Sequence, residues 1–188
     1  MLPGSILEAD FTLPSPAPTK PHSEDRNFQT IRLVGKLTSS KFRDVLERSA
    51  SDSIESAFGD DLHGEKVYKI PPDHSIITIK VNPHRLQIVR DQFNDEKIKA
   101  HVIDATGLNL SFLPITDLGF YDHVGNSATR TATTDKMNSF IAGQDELYLR
   151  IGLSRIYKNP KGVEGYWLQV NGIYTFPDFR RVVREYGK

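Results

Sequence analysis

Residues 147–155, LYLRIGLSR, and 166–178, YWLQVNGIYTFPD, decide how this chain folds. In the first, Leu147, Leu149, Ile151 and Leu153 fall on one face of an extended segment, and Tyr148, Arg150 and Ser154 on the other. In the second, Trp167, Gln169 and Asn171 alternate with Leu168 and Val170. Arg155, Lys158 and Lys161 fill the turn-rich connection, and no acid stands between 150 and 162. Such a strand pair fills a core with one face and presents a polar, partly cationic surface with the other. That surface suits an extended, negatively charged ligand.

Working outward, strand signals follow one another closely upstream: 66–70, 75–81, 84–91, 96–104 and 108–115. Pro-Pro-Asp, Asn-Pro, Asn-Asp and Ala-Thr-Gly break them. In EKIKAHVID (96–104), Ile98, Ala100 and Val102 alternate with Lys97, Lys99 and His101, a half-buried strand with a basic outer row. Nearer the N-terminus, 5–13 and 30–36 predict strands, and the proline-rich 14–26 a surface loop. Helices are expected at 39–49, capped by Ser39 or Ser40 with Phe42, Val45 and Leu46 inward, and at 52–58, where Asp52 and Glu55 have capping-box spacing. A helical turn at 116–124, a mobile loop at 125–135, a short helix at 136–142 and a C-terminal helix at 177–186 complete the expectation. The fold class is therefore mainly β with short helices, and short strands at regular spacing point to a small Greek-key barrel of the OB type.

Composition sets the bounds. The chain has 188 residues, 38% of them hydrophobic, with 24 basic and 24 acidic residues and no cysteine. Zero net charge argues against a protein that coats nucleic acid indiscriminately, while leaving local patches open. The absence of cysteine excludes disulfide scaffolds, thiolate-zinc sites and thiol chemistry. No apolar run approaches the roughly 20 residues of a membrane span, and no secretory signal pattern opens the sequence. A cytoplasmic protein without membrane partners is expected.

The stretches DATGLNLSFLPITDLGF (104–120), LYLRIGLSR (147–155) and GYWLQVNGIYTFPDF (165–179) resemble the dual OB-fold domain. HSEDRNF (22–28) and SIITIKVNPHRLQI (75–88) are similar to its middle section. The resemblance implies OB-like Greek-key barrels, with 1–92 as a partial or first unit carrying a helical insert and 93–188 as a second unit with a C-terminal helix. It implies that opening strands of the first barrel are missing, so that this unit is incomplete, rearranged or completed by a partner chain. It further implies a non-catalytic nucleic-acid-binding module, DNA or RNA, with no cofactor. Such a module would be an accessory subunit beside a helicase, nuclease or other member of a bacterial complex, antiphage defence included.

The candidate nucleic-acid-binding residues are Lys97, Lys99, Tyr148, Arg150, Arg155, Lys158, Trp167, Gln169 and Asn171. Cations track phosphates and aromatic faces stack bases, each stack worth about 1–3 kcal/mol. Alternate positions on one strand set Lys97, Lys99 and His101 about 7 Å apart, near the nucleotide spacing of an extended strand. Ordinary roles compete with each assignment. Trp167 and Tyr148 also suit core or rim packing, and the lysine row also suits a solvated strand edge. Arg180, Arg181, Arg184 and Lys188 complement a helix C-terminus. His22, Glu24 and Asp25 read as a pin for the proline-rich loop rather than a metal site. Asp60, Asp61 and Glu65 carry the residue types of a metal-dependent nuclease but sit in a glycine-flanked loop. Asp104 and Asp117 read as turn or cap residues. A protein-interaction subunit is the alternative to a nucleic-acid module, because an unpaired strand edge invites a partner strand.

Overall fold

The computed structural model describes residues 3–63, 66–94, 97–117, 119–120 and 130–178. Strands β1 (Ser5–Thr12) and β2 (Asn27–Lys36) form an antiparallel hairpin with no further strand beside it among the described residues. Helix α1 (Ser39–Ser49), β3 (Ala50–Ser51), α2 (Ile54–Phe58), β4 (Leu62–His63), β5 (Val67–Tyr68) and β6 (Ile76–Val81) follow. A 3-10 turn at Pro83–Arg85 leads into β7 (Leu86–Arg90), β8 (Ile98–Ile103) and β9 (Asn109–Pro114). Helix α3 (Arg130–Ala142) precedes β10 (Glu146–Leu153), β11 (Tyr157–Lys158) and β12 (Glu164–Phe176).

A seven-stranded sheet runs β3-β6-β10-β12-β5-β4, with β11 on β12. A three-stranded sheet runs β7-β8-β9. A parallel bridge between Ile115 and Val170 brings the end of β9 onto β12, and Thr116 N donates to Val170 O at 2.8 Å. The sheets thus curl around a common core, as the alternation predicted. Ile77 and Ile79 of β6, Ile98 and Val102 of β8, Leu147, Leu149 and Ile151 of β10, and Leu168 and Val170 of β12 all point into it. Each aliphatic side chain buried there contributes about 1.5–3 kcal/mol. Strand pairing crosses residues 92/93: β7 pairs with β8 on either side of that point, and β6 pairs with β10. No helix among the described residues is long and apolar enough to cross a membrane.

The helices correct the sequence in detail. Thr38, not Ser39 or Ser40, caps α1, its hydroxyl accepting from Lys41 N at 3.3 Å. Phe42 and Leu46 are buried, but Val45 is 43% exposed, because only a narrow stripe of α1 meets the sheet. Ser53 and Ser56, rather than Asp52 and Glu55, form the capping box of α2. Helix α3 begins at Arg130, inside the stretch expected as a mobile loop. Its packed face carries Thr134, Met137, Asn138 and Ile141, a helical spacing whose polar members hide the period. Asn138 donates through Nδ2 to Ile88 O at 2.9 Å and accepts from Ile88 N at 2.8 Å. That amide satisfies one residue on the open edge of β7. The turn expected at 116–124 and the C-terminal helix with its cations lie largely outside the described residues.

Asp104 and Asp117 serve as caps. Asp104, 1% exposed, accepts from Thr106 N and Leu108 N at 3.0 Å and from Ile54 N at 3.2 Å. It closes the β8–β9 turn and anchors the start of α2 with one side chain. Asp117 accepts from Phe120 N at 3.1 Å and Ile173 N at 3.4 Å. Replacing Asp104 with Ala strands these buried amides, so Asp104→Ala is expected to lower unfolding free energy by about 3 kcal/mol. Asp104→Asn, which keeps an acceptor, should lose less. Denaturant midpoints at unchanged slope measure both, and an Asp104→Ala midpoint equal to the parent's would refute the assignment.

Candidate nucleic-acid interface

The expected interface divides when its residues are located. Tyr148 is a correction: it is 0% exposed and sealed beneath α1 with Phe42, Leu46 and Phe176. No base can stack on it. Its hydroxyl meets Glu47 and, at 2.6 Å, Glu146. Glu146 also accepts from Arg43 Nε at 2.8 Å and pairs with Lys80 at 3.1 Å. Tyr148 and two acids are thus balanced by Lys80 and Arg43. Helix α1 covers the outer face of β10 here because that face carries Tyr148, an amphipathic ring whose one polar atom needs a buried partner.

Arg150 and Asn171 lie farther along the outer face. The β10–β12 register shifts between Arg150 and Ile151, leaving Asn171 as the extra residue of a bulge. The Asn171 amide lies over Gly152, where a Cβ would come within 2.1 Å of Oδ1. Arg155, at 69% side-chain exposure, is held by Asp25 of the proline-rich loop. His22 Nε2 donates to Ser154 O at 3.2 Å, and Glu24 accepts from Ser75 N at 2.9 Å. The HSED cluster therefore pins the loop, and it neutralises Arg155 in doing so. Lys97 and Lys158 are exposed.

Lys99, Trp167 and Gln169 converge on a groove between β12 and the β8–β9 hairpin. Its first pocket, about 340 Å³, is bounded by Trp167, Gln169, Tyr157, Phe112, Lys66 and Lys99. An adjoining pocket of about 350 Å³ shares Lys66, Lys99 and Phe112 and adds Phe93 and Lys161. Both volumes fall in the range of ligand sites. Trp167 is fixed by its indole Nε1 donating to Tyr157 O at 3.0 Å and by its backbone N donating to Ser154 Oγ at 3.0 Å. Phe93 is 96% exposed.

Charge in the groove is positive, because Lys66, Lys99 and Lys161 outweigh the carboxylate of Asp91. Asp91 is engaged by Lys99 at 3.4 Å and by Phe93 N at 2.9 Å. The Phe93 amide, with the Lys99 charge, holds its carboxyl below the usual aspartate range. His101 adds no cation near neutrality: burial, then the neighbouring charge of Lys66, lowers its pKa from the ordinary 6.5. The row expected from Lys97, Lys99 and His101 is accordingly not uniformly basic.

Phe112, Phe93, Tyr157, Lys66 and Lys161 carry no common pattern in the sequence, although Lys161 stands in the acid-free segment. Phe112 has φ 56°, a left-handed conformation that costs a non-glycine residue about 1–2 kcal/mol. The β8–β9 register sets His101 opposite both Ser111 and Phe112, so a bulge turns Phe112 toward the groove. Lys66 Nζ donates to the Ser111 carbonyl at 3.2 Å, and His101 meets the Phe112 ring edge-on at 4.4 Å. Bulge geometry has no signature in the string SFLP.

Curled antiparallel sheets around one core, with an aromatic and cationic groove on the outside, define a β-rich protein of OB type. The dual OB-containing domain family matches residues 6–173, and the chain belongs to that family. No curated protein and no solved structure matches the chain.

The Tyr148 cluster gives a pH dependence. Burial pushes the Glu146 carboxyl up, but hydrogen bonds from Arg43, Tyr148 and Lys80 outweigh it and bring its pKa to about 2, from an ordinary 4.5. A depressed folded-state pKa stabilises fully above the unfolded value and is lost as pH falls through the folded one. Thermal stability should therefore decline between pH about 4.5 and about 2. Glu146→Gln should flatten that decline in melts across the range; an unchanged slope would show that the cluster does not carry it.

Proposed function

We propose that the chain is a nucleic-acid-binding module acting through the groove of Trp167, Phe112, Lys99 and Gln169. The observation that carries this reading is the convergence of aromatic faces and lysines on one open groove of an OB-type protein. Lysines offer phosphate contacts, the rings offer stacking surfaces, and Gln169, Ser154 and Asn159 offer hydrogen bonds to base or sugar edges. The chain's own residues need only bind and orient, so the module is read as non-catalytic. The finer setting, an accessory subunit of a bacterial nucleic-acid-processing or antiphage complex, rests on the family resemblance.

Binding through phosphates releases counterions, so affinity should fall steeply with salt. Lys99→Ala combined with Lys161→Ala should weaken binding about tenfold and make the salt slope shallower by about 1–2. Arg155→Ala, removing a cation that lies outside the groove lining, should change affinity far less. Fluorescence anisotropy with labelled oligonucleotides at several salt concentrations tests this. Absence of binding at low salt, or equal loss in both variants, would overturn the assignment.

A second reading has its own observation. The β1–β2 hairpin leaves Phe11, Leu13, Phe28 and Leu33 more than half exposed, at 61%, 63%, 54% and 54%. An apolar two-stranded ribbon is a natural protein contact. An assembly role predicts self-association or a co-purifying partner that Phe11→Ser/Phe28→Ser abolishes; size-exclusion chromatography with mass measurement reads it. A monodisperse monomer with no co-purifying chain would remove this reading.

A further inference from the structure

We infer that the groove selects an unpaired strand, with Phe112 as a wedge that parts two successive bases. This deepens the nucleic-acid reading and rests on it. Phe112 lines both pockets together with Lys66 and Lys99, and it is the one aromatic residue common to the two. On one side Trp167 and Tyr157 face it; on the other lie Phe93 and Lys161. A base entering the first pocket and a base reaching Phe93 are separated by that ring. Stacked duplex bases cannot straddle it, whereas a flexible strand can kink around it.

The backbone supplies the independent argument. Phe112 sits at φ 56° in a bulge, and it is the one non-glycine residue with positive φ among those described. Non-glycine residues adopt that conformation rarely, and such strain gathers where a side chain must be aimed. Phe112 is half-buried and is not among the residues packed against either hydrophobic cluster, so core packing does not explain its placement. His101 steadies the ring edge-on, and Lys66 holds the bulge carbonyl of Ser111. His101 and Lys66 thus contact the ring and the adjoining backbone of the bulge. Phosphates flanking the kink would meet Lys99 and Lys161.

Trp167 is the only tryptophan of the chain, so its intrinsic fluorescence reports on the first pocket without a label. The test titrates the whole chain with a short oligothymidylate, a blunt duplex of equal length, and a strand carrying two adjacent abasic sites. The single strand is expected to quench Trp167, with the duplex and the abasic strand about tenfold weaker or more. Phe112→Gly relieves the backbone, since glycine populates this φ freely. It should keep a cooperative melt and lose single-strand affinity about tenfold, while Phe112→Tyr retains it. Phe93→Ala, at a fully exposed ring that cannot disturb the core, gives a second variant with a similar expected loss. Duplex bound as tightly as single strand, or Phe112→Gly and Phe93→Ala both binding like the parent, would overturn the wedge and leave the nucleic-acid reading standing. Failure of every oligonucleotide to bind at low salt would remove both.

Discussion

Strand β10 is buried on both faces, and the rest of the molecule is arranged to allow it. It lies between β6 and β12, and Leu147, Tyr148, Leu149 and Ile151 are all at 0% exposure. The inner face needs only aliphatic neighbours. The outer face needs a cover, which α1 provides with Phe42 and Leu46, and a solution for the Tyr148 hydroxyl. An unpaired buried hydroxyl costs more than a made hydrogen bond gains. Glu47 and Glu146 meet it, and Lys80 and Arg43 balance the acids. The cover consumes the broad outer face that the alternation of β10 had offered to a ligand.

Ligand-accessible surface is therefore displaced to where the sheets exchange strands. Near Val170 the seven-stranded sheet hands over to β9 through the Ile115 bridge. Closing a sheet requires strands to bend, and bulges are how they do so. One bulge lies at Asn171 and another at Ser111–Phe112, on the two sides of the junction. The first tucks Asn171 over Gly152; the second turns Phe112 outward. The groove lies where closure brings these bulges together, with Lys66 donating to the Ser111 carbonyl and Lys99 paired with Asp91.

The fold was largely legible, because a period of two survives in the sequence. Ile98, Ala100 and Val102, and Leu147 through Leu153, announced their faces, and the core accepted them. The alternation failed to say what each outward face would meet. Tyr148 and Trp167 look equivalent as outward aromatics on neighbouring strands; α1 buries one, and the other opens to the groove. Arg155 read as a free cation because its partner, Asp25, lies far away in the chain. The outward placement of Lys99 and Gln169 was legible because both follow the alternation of their strands. Phe112 was not, because a bulge breaks the alternation that would have revealed it. The short helix expected at 136–142 is the second half of α3; its first turns, from Arg130, were hidden because the packed residue there is the polar Thr134 rather than an apolar one.

The proline-rich loop connects these parts. A two-stranded ribbon such as β1–β2 is marginal when nothing packs on it, and here both ends are tied down. At its base Leu37 N donates to Gly4 O at 2.8 Å beside Phe42 of α1. At its tip His22, Glu24 and Asp25 grip Ser154, Ser75 and Arg155. Ser154 is the shared residue. Its carbonyl accepts from His22, its backbone N donates to Trp167 O at 2.9 Å, and its hydroxyl accepts from Trp167 N. The tip of the exposed hairpin is thus two hydrogen bonds from the indole that forms one wall of the groove. Ligand at Trp167 and a partner chain on the hairpin would act on the same serine. Any difference in how the loop is held between bound and free states would appear as a coupling between the two surfaces, reciprocal in free energy. The loop that closes the hairpin and the tryptophan that walls the groove are thus linked physically through Ser154.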